Sequence, residues 1–161
     1  MKKTFIAYIV LCFILIGCSS NNKLTKEDYI LTEDIITSKN ICIGSTNEEF
    51  KNAYNNYTVN IIYAEEVING DNVADIININ EIDFSKQCKV SITTYYIDGK
   101  PYTLPEFVDK LDIKTNYYDW AENNADFLKK HTIEGKVLVF SFEDGVVTNI
   151  SSTDMNLEVN Q

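Results

Sequence analysis

What most constrains this chain lies ahead of the part that folds. Lys2 and Lys3 are followed by an apolar run from Phe5 to Ile16, then by Gly17 and Cys18. A basic start, an apolar middle of roughly 7–15 residues and a small-residue cleavage site together make a secretory signal. The run falls short of the roughly 18 apolar residues that a spanning helix needs, and polar residues follow at once. Residues 1–17 are expected to leave as a signal peptide, so that folding belongs to the chain downstream of them, outside the cytoplasm.

Leu15-Ile16-Gly17-Cys18 resembles, at every position, the lipobox of bacterial lipoprotein signal peptides. The resemblance implies that Cys18 becomes the first residue of the mature chain and carries a diacylglyceryl group on its sulfur. A single acyl chain binds a membrane with an association constant of order 10⁴ M⁻¹, whereas two chains hold a protein stably. The implied place is the extracytoplasmic face of the cell membrane, with the membrane itself as partner through the lipid on Cys18.

The rest suffices for one ordinary domain of about 100–150 residues, and is too short for the two lobes of a transporter's solute receptor. The formal net charge is −10, and every basic residue is lysine. Loss of Lys2 and Lys3 takes the mature chain to about −12. Nucleic-acid binding needs a basic stripe and favours arginine, so nucleic acid is excluded as a partner. Once Cys12 leaves and Cys18 is lipidated, Cys42 and Cys88 remain. In a non-reducing compartment they form a possible disulfide, with two small buried apolar side chains as the other reading.

Ser19 to Asp28 is polar and reads as a flexible tether. Ile41-Cys42-Ile43 predicts a short strand ended by Gly44. Ser45-Thr46-Asn47-Glu48-Glu49 offers a capping box as Ser45 with Glu48 or Thr46 with Glu49, and Phe50, Ala53 and Tyr54 follow at helical spacing for about three turns. Thr58 to Val67 and Val73 to Phe84 predict strands around an Asn69-Gly70-Asp71-Asn72 turn, and Lys89 to Ile97 predicts a third, with Val90, Ile92 and Tyr96 on one face. Asp98-Gly99 makes the next turn. Thr103 with Glu106 is a second capping box, and Asp119 is expected to cap a third helix with Ala121, Ala125 and Leu128 on one side, in a region that Glu134-Gly135 ends. A hairpin of Lys136–Phe142 and Val146–Ser151, across Glu143-Asp144-Gly145, closes the domain.

Helices grouped beside antiparallel strands make the fold class α+β, an antiparallel sheet with a helical layer packed on one face. The expected divisions are signal peptide 1–17, lipidated cysteine and tether 18–28, one α+β domain 29–155, and a polar tail 156–161. The segment Ile41 to Tyr54, a strand ending in Ile-x-Ile-Gly before an acidic helix, resembles a module of small envelope lipoproteins. These are the outer-membrane-assembly lipoprotein class and the β-lactamase-inhibitor-protein-like group. The resemblance implies a helical layer on an antiparallel sheet that acts by binding proteins.

Residues for catalysis are sparse. His131 is the only histidine, and beside Lys129-Lys130 it reads as a cation complementing a helix end rather than a base. No His/Cys cluster suits zinc and no Gly-rich loop suits phosphate, so no metal or other cofactor is expected. Asp71, Asp75, Glu81 and Asp83 read as solvated acids. The surplus is aromatic. Tyr95, Tyr96, Tyr102, Tyr117, Tyr118 and Trp120 form a possible binding face, and alternation along a strand directs at least one of Tyr95 and Tyr96 to solvent. The expected role is a non-enzymatic binding module at the cell envelope with a possible envelope protein partner. A possible glycan of the cell wall is the alternative, and an envelope hydrolase ranks last.

Overall fold

A computed structural model describes residues 23–65, 75–114, 116–155 and 157. Cys18 and the Asn69-Gly70-Asp71-Asn72 turn lie outside them. The class is α+β, as expected. Six antiparallel strands make one sheet: β1 (Thr58–Tyr63), β2 (Asp75–Asn78), β3 (Cys88–Ile97), β4 (Lys100–Tyr102), β5 (Ile133–Glu143) and β6 (Val146–Met155). Their order is β2-β1-β3-β5-β6. β3 is the spine. Along one side β1 pairs with its first half (Ile61 opposite Val90) and β4 with its second (Tyr96 opposite Pro101), while β5 pairs with its whole length on the other side.

Two tight turns set the register. Asp98-Gly99 and Asp144-Gly145 both adopt left-handed backbone, with φ of 51° and 77° and of 51° and 74°. Positive φ at both central positions is what a right-handed twisted hairpin requires of a two-residue turn, and glycine supplies the second at no steric cost.

Alternation along β3 splits its side chains between two cores. Val90 and Ile92 meet Ile61, Leu138, Phe140 and Phe142 on the first face. That face is covered by helix α1 (Asn47–Ala53), through Phe50, and by the N-terminal segment, through Leu24, Tyr29 and Ile41. Phe50 is wholly buried, with ring centroids 4.7 Å from Phe140 and 4.9 Å from Phe142. Of the two capping registers the chain takes Thr46 with Glu49: the Glu49 carboxylate accepts from Thr46 N at 2.7 Å, and Thr46 Oγ1 accepts from Glu49 N at 3.3 Å.

On the second face Tyr95 and Ile97 lie under a helical layer of α2 (Leu104–Leu111), α3 (Tyr117–Asn123) and α4 (Ala125–Leu128). The Thr103 and Glu106 box opens α2, with Thr103 N donating to Glu106 at 2.8 Å. Phe107 and Leu111 are the buried pair of its apolar face.

Several local expectations are corrected. The domain begins before Tyr29, because Leu24 is buried and Lys26–Tyr29 form a 3₁₀ turn behind a Thr25–Asp28 box. Ile41-Cys42-Ile43 is no strand. Thr37 and Ile41 close a turn on each other, and Gly44 then donates to Val147 O at 2.8 Å. The Ile-x-Ile-Gly half of the module resemblance is thus a turn beside β6. The second strand stops at Asn78, whose side chain accepts from Asn80 N at 2.9 Å and starts a 3₁₀ turn, a local bond that competes with the ladder.

Asn116, not Asp119, caps α3, accepting from Asp119 N at 2.9 Å. Glu134 and Gly135 lie within β5 rather than between the helical region and the hairpin. A β-carbon on Gly135 would stand 3.0 Å from Met155 Cβ, so the glycine marks a close approach. Beyond β6, Leu157 is buried and its carbonyl accepts from the Tyr117 hydroxyl at 2.8 Å, which ties part of the expected tail into the second core.

Candidate interaction surface

The six aromatics expected to make one face do not make one. Tyr95 and Tyr96 point to opposite faces, as alternation requires, but both are buried, because both faces of the sheet are covered at this end. Tyr95 stacks on Phe107 with ring centroids 4.3 Å apart. Burial raises its hydroxyl pKa. Tyr96 lies on the first face, where its hydroxyl donates to Leu24 O at 3.2 Å and Lys26 stands 5.0 Å from its ring. Burial pushes that hydroxyl up to about 12.

Tyr102, Tyr117 and Trp120 are half-buried around the second core, with Trp120 5.9 Å from Tyr117 and 5.7 Å from Phe127. Tyr118 alone of the six is open, at 64% exposure. The expected binding face is chiefly the lining of a core.

Cys42 and Cys88 are free thiols, so the possible disulfide is not formed. Cys88 is buried at the start of β3, where burial pushes its thiol up to about 11. Cys42 precedes Gly44 in the turn beside β6, and its sulfur lies 3.7 Å from Ser45 Oγ. Cys88 fits a small apolar core position, whereas Cys42 is only half-buried and stands outside the core.

His131 is committed to structure. Its Nδ1 lies 2.6 Å from Asp98 Oδ2, and its ring stacks on Phe127 at 4.2 Å. The other Asp98 oxygen accepts from Thr132 N at 2.9 Å, so this carboxylate ties the β3–β4 turn to the start of β5. The hydrogen bond from His131 is the main reason that the Asp98 carboxyl lies below its ordinary pKa. Asp83 is likewise used locally, accepting from Ser85 Oγ at 2.6 Å. Among the described residues no three or more His, Cys, Asp or Glu side chains are grouped to hold a metal.

The surface that sequence reasoning missed is the other half of the second sheet face. α2–α4 cover only the end near Tyr95 and Ile97. Leu104, opening α2, borders the open part beside Ser91 and Thr93. Register and alternation place cross-strand rows there: Ile62, Lys89, Ser141 and Asn149, then Asn60, Ser91, Val139 and Ser151, then Thr93, Val137 and Thr153. These side chains are half-buried or exposed, and Ile76 beside them on β2 is 54% exposed.

Lys89 carries the one charge in those rows, and none of them holds an acid. At the far end, Ile62, Ala64, Lys89, Ser141 and Phe142 help line an open groove of about 340 Å³. The signal was present in the sequence as the polar parity of β3, Lys89, Ser91 and Thr93, between the apolar positions Val90 and Ile92.

No family model, curated protein or solved structure matches this chain.

Proposed function

We propose that this chain is a lipoprotein held in the membrane by the lipid on Cys18, and that its α+β domain is a protein-binding module at the cell envelope. The binding half of the reading is carried by one observation, the half of the second sheet face that is almost uncharged and is left uncovered among the described residues. The cores of protein interfaces are depleted in charge and combine apolar area with satisfiable polar groups. Ile62, Val137 and Val139 supply the first here, and Asn60, Ser91 and Thr93 the second. In a chain of net charge −10, a face without acids stands apart from the rest of the surface. The address rests on residues 1–18.

A photo-crosslinking residue placed at Ser91 or Val139 tests the surface in native membranes, with exposed Ile30 (70%) as the control position. A discrete protein adduct from Ser91 and Val139, absent from Ile30 and lost on Thr93→Lys, is the expected result. Equal labelling from all three positions would refute it. For the anchor, Cys18→Ser should abolish acyl labelling, and a labelled, membrane-bound Cys18→Ser chain would remove that part of the reading. A carbohydrate or cell-wall ligand ranks second, since Tyr118 is the one open aromatic of the six proposed for it.

A further inference from the structure

The position of Lys23 and the few residues ahead of it fix which end of the domain meets the bilayer, an inference that rests on the lipoprotein reading above. Lys23 Nζ lies 2.8 Å from Glu106 Oε1 in the first turn of α2, and Leu24 is buried with its carbonyl on the Tyr96 hydroxyl. The chain is therefore fastened to the fold from Lys23 onward, beside the first turn of α2 and the Tyr96 end of β3. Only Ser19 to Asn22 separate Lys23 from Cys18. Fully extended, that connection spans at most about 18 Å. β3 alone, from Cys88 at the open end to Ile97 at the helix-covered end, runs about 30 Å. Leu24 sits by Tyr96, about 26 Å along β3 from Cys88, so the tether holds the Tyr96 end of the strand nearer the lipid than the Cys88 end.

The end held near the bilayer carries aromatic side chains of the kind that settle at headgroup level. Tyr118 is 64% exposed, its ring 5.9 Å from that of Tyr117, and half-buried Trp120 lies beside them on α3. Tyr and Trp favour the membrane interface because each joins an apolar ring to a polar tip. Exposed Lys114 and Lys129 accompany them, but each stands by an acid, Asp112 at 3.3 Å and Asp126 at 3.4 Å. Aromatic insertion, rather than attraction to anionic lipid, is thus the available force.

We propose that the surface of α3 bearing Tyr118 and Trp120 rests in the interfacial zone of the membrane that holds the lipid on Cys18, so that the open half of the sheet is presented away from the bilayer. The partner surface is a lipid one, and the consequence is orientation: the same short tether that anchors the domain aims its uncharged face outward.

Trp120 is the chain's only tryptophan, so its fluorescence reports α3 alone, from a ring half-buried between this surface and the second core. The full lipidated protein is reconstituted into phosphatidylcholine vesicles containing lipid brominated near the headgroup end of its acyl chains. Quenching of Trp120 by about twofold relative to unbrominated vesicles is expected. Twenty Gly/Ser residues inserted after Ser20 should relax the quenching toward that of soluble Cys18→Ser protein mixed with the same vesicles. Moving the reporter to the open ring, with Trp120→Phe and Tyr118→Trp together, should deepen it.

Two failures are distinguishable. If mass spectrometry of the N-terminal peptide finds no acyl group on Cys18, the anchor reading falls and this proposal with it. If the protein is acylated and sediments with vesicles, yet neither reporter is quenched, this proposal alone is overturned.

Discussion

The two faces of the sheet are covered by different kinds of layer. On the first, Phe50, Phe140 and Phe142 are entirely buried, with Phe84 edge-on to Phe142 at 4.5 Å, and the covering chain runs from Leu24 to Tyr57. On the second, Phe107 is sealed against Tyr95, but Tyr102, Tyr117, Trp120 and Phe127 around it are only partly buried. The first layer spans most of the strands' length and the second stops half-way. One face is occupied along most of its length with holding the fold together; on the other, part of the sheet lies beyond the helical layer.

The largest expected effect tests that contrast directly. Phe140→Ala leaves a cavity among rigid neighbours and should cost roughly 3–5 kcal/mol, whereas Phe107→Ala, beneath helices with room to settle, should cost nearer 2–3 kcal/mol. Guanidinium unfolding followed by far-UV circular dichroism and by Trp120 fluorescence reads both. In Phe140→Ala the two probes should shift together. In Phe107→Ala the fluorescence, which sits in the second core, should change at lower denaturant than the dichroism. Equal costs with coincident probes would mean that the two cores act as one.

A smaller effect of opposite sign is expected inside the first core. Among the described residues Tyr54 Oη is the one buried side-chain polar atom without a hydrogen-bond partner. It faces Thr37, whose hydroxyl interacts with it, against the larger effect of burial, too loosely to make a well-formed hydrogen bond, and whose Oγ1 also accepts from Ile41 N at 3.0 Å. A buried hydroxyl with only so loose a contact recovers little of its desolvation cost. Tyr54→Phe should leave stability unchanged or raise it by up to about 1 kcal/mol. A loss larger than that would show that Tyr54 finds a partner in solution.

What could be read from sequence divides along the same line as local and distant interactions. Thr103 with Glu106 and the Asp-Gly turns at 98–99 and 144–145 are decided within four residues, and they stand where expected. At residues 45–49 the sequence leaves two capping registers open, and the fold takes Thr46 with Glu49. Leu24 in a polar stretch, Gly135 beneath Met155 and Leu157 on Tyr117 are decided by chain far away, and nothing in their neighbours announces them. The aromatic surplus misled because alternation says that Tyr95 and Tyr96 face opposite ways, not that either direction is wet. Here the N-terminal segment covers one direction and α2–α4 the other. The open surface was legible only as the less conspicuous parity of β3, polar side chains where a single-sided sheet would have them.

The smallest effect concerns the edge of the second region, where Asp98 joins the β3–β4 turn to His131 and Thr132. The Asp98 carboxyl is depressed from 3.8 in the folded chain, chiefly by the His131 hydrogen bond. A depressed carboxyl contributes stability that is present above its unfolded pKa and is lost as pH falls through its folded pKa. The window is therefore below about pH 4. Asp98→Asn should lower the melting temperature slightly at pH 6, since exposed pairs of this kind contribute little. The gap to the parent protein should close as the pH is taken from 4 to 2, with the change concentrated in the Trp120 signal because the tie secures the second layer only. A gap unchanged between pH 6 and pH 2 would mean that the turn depends on the shape of the Asp98 side chain and not on its charge. A gap read equally by dichroism and fluorescence would instead place this corner within the first core's cooperative unit.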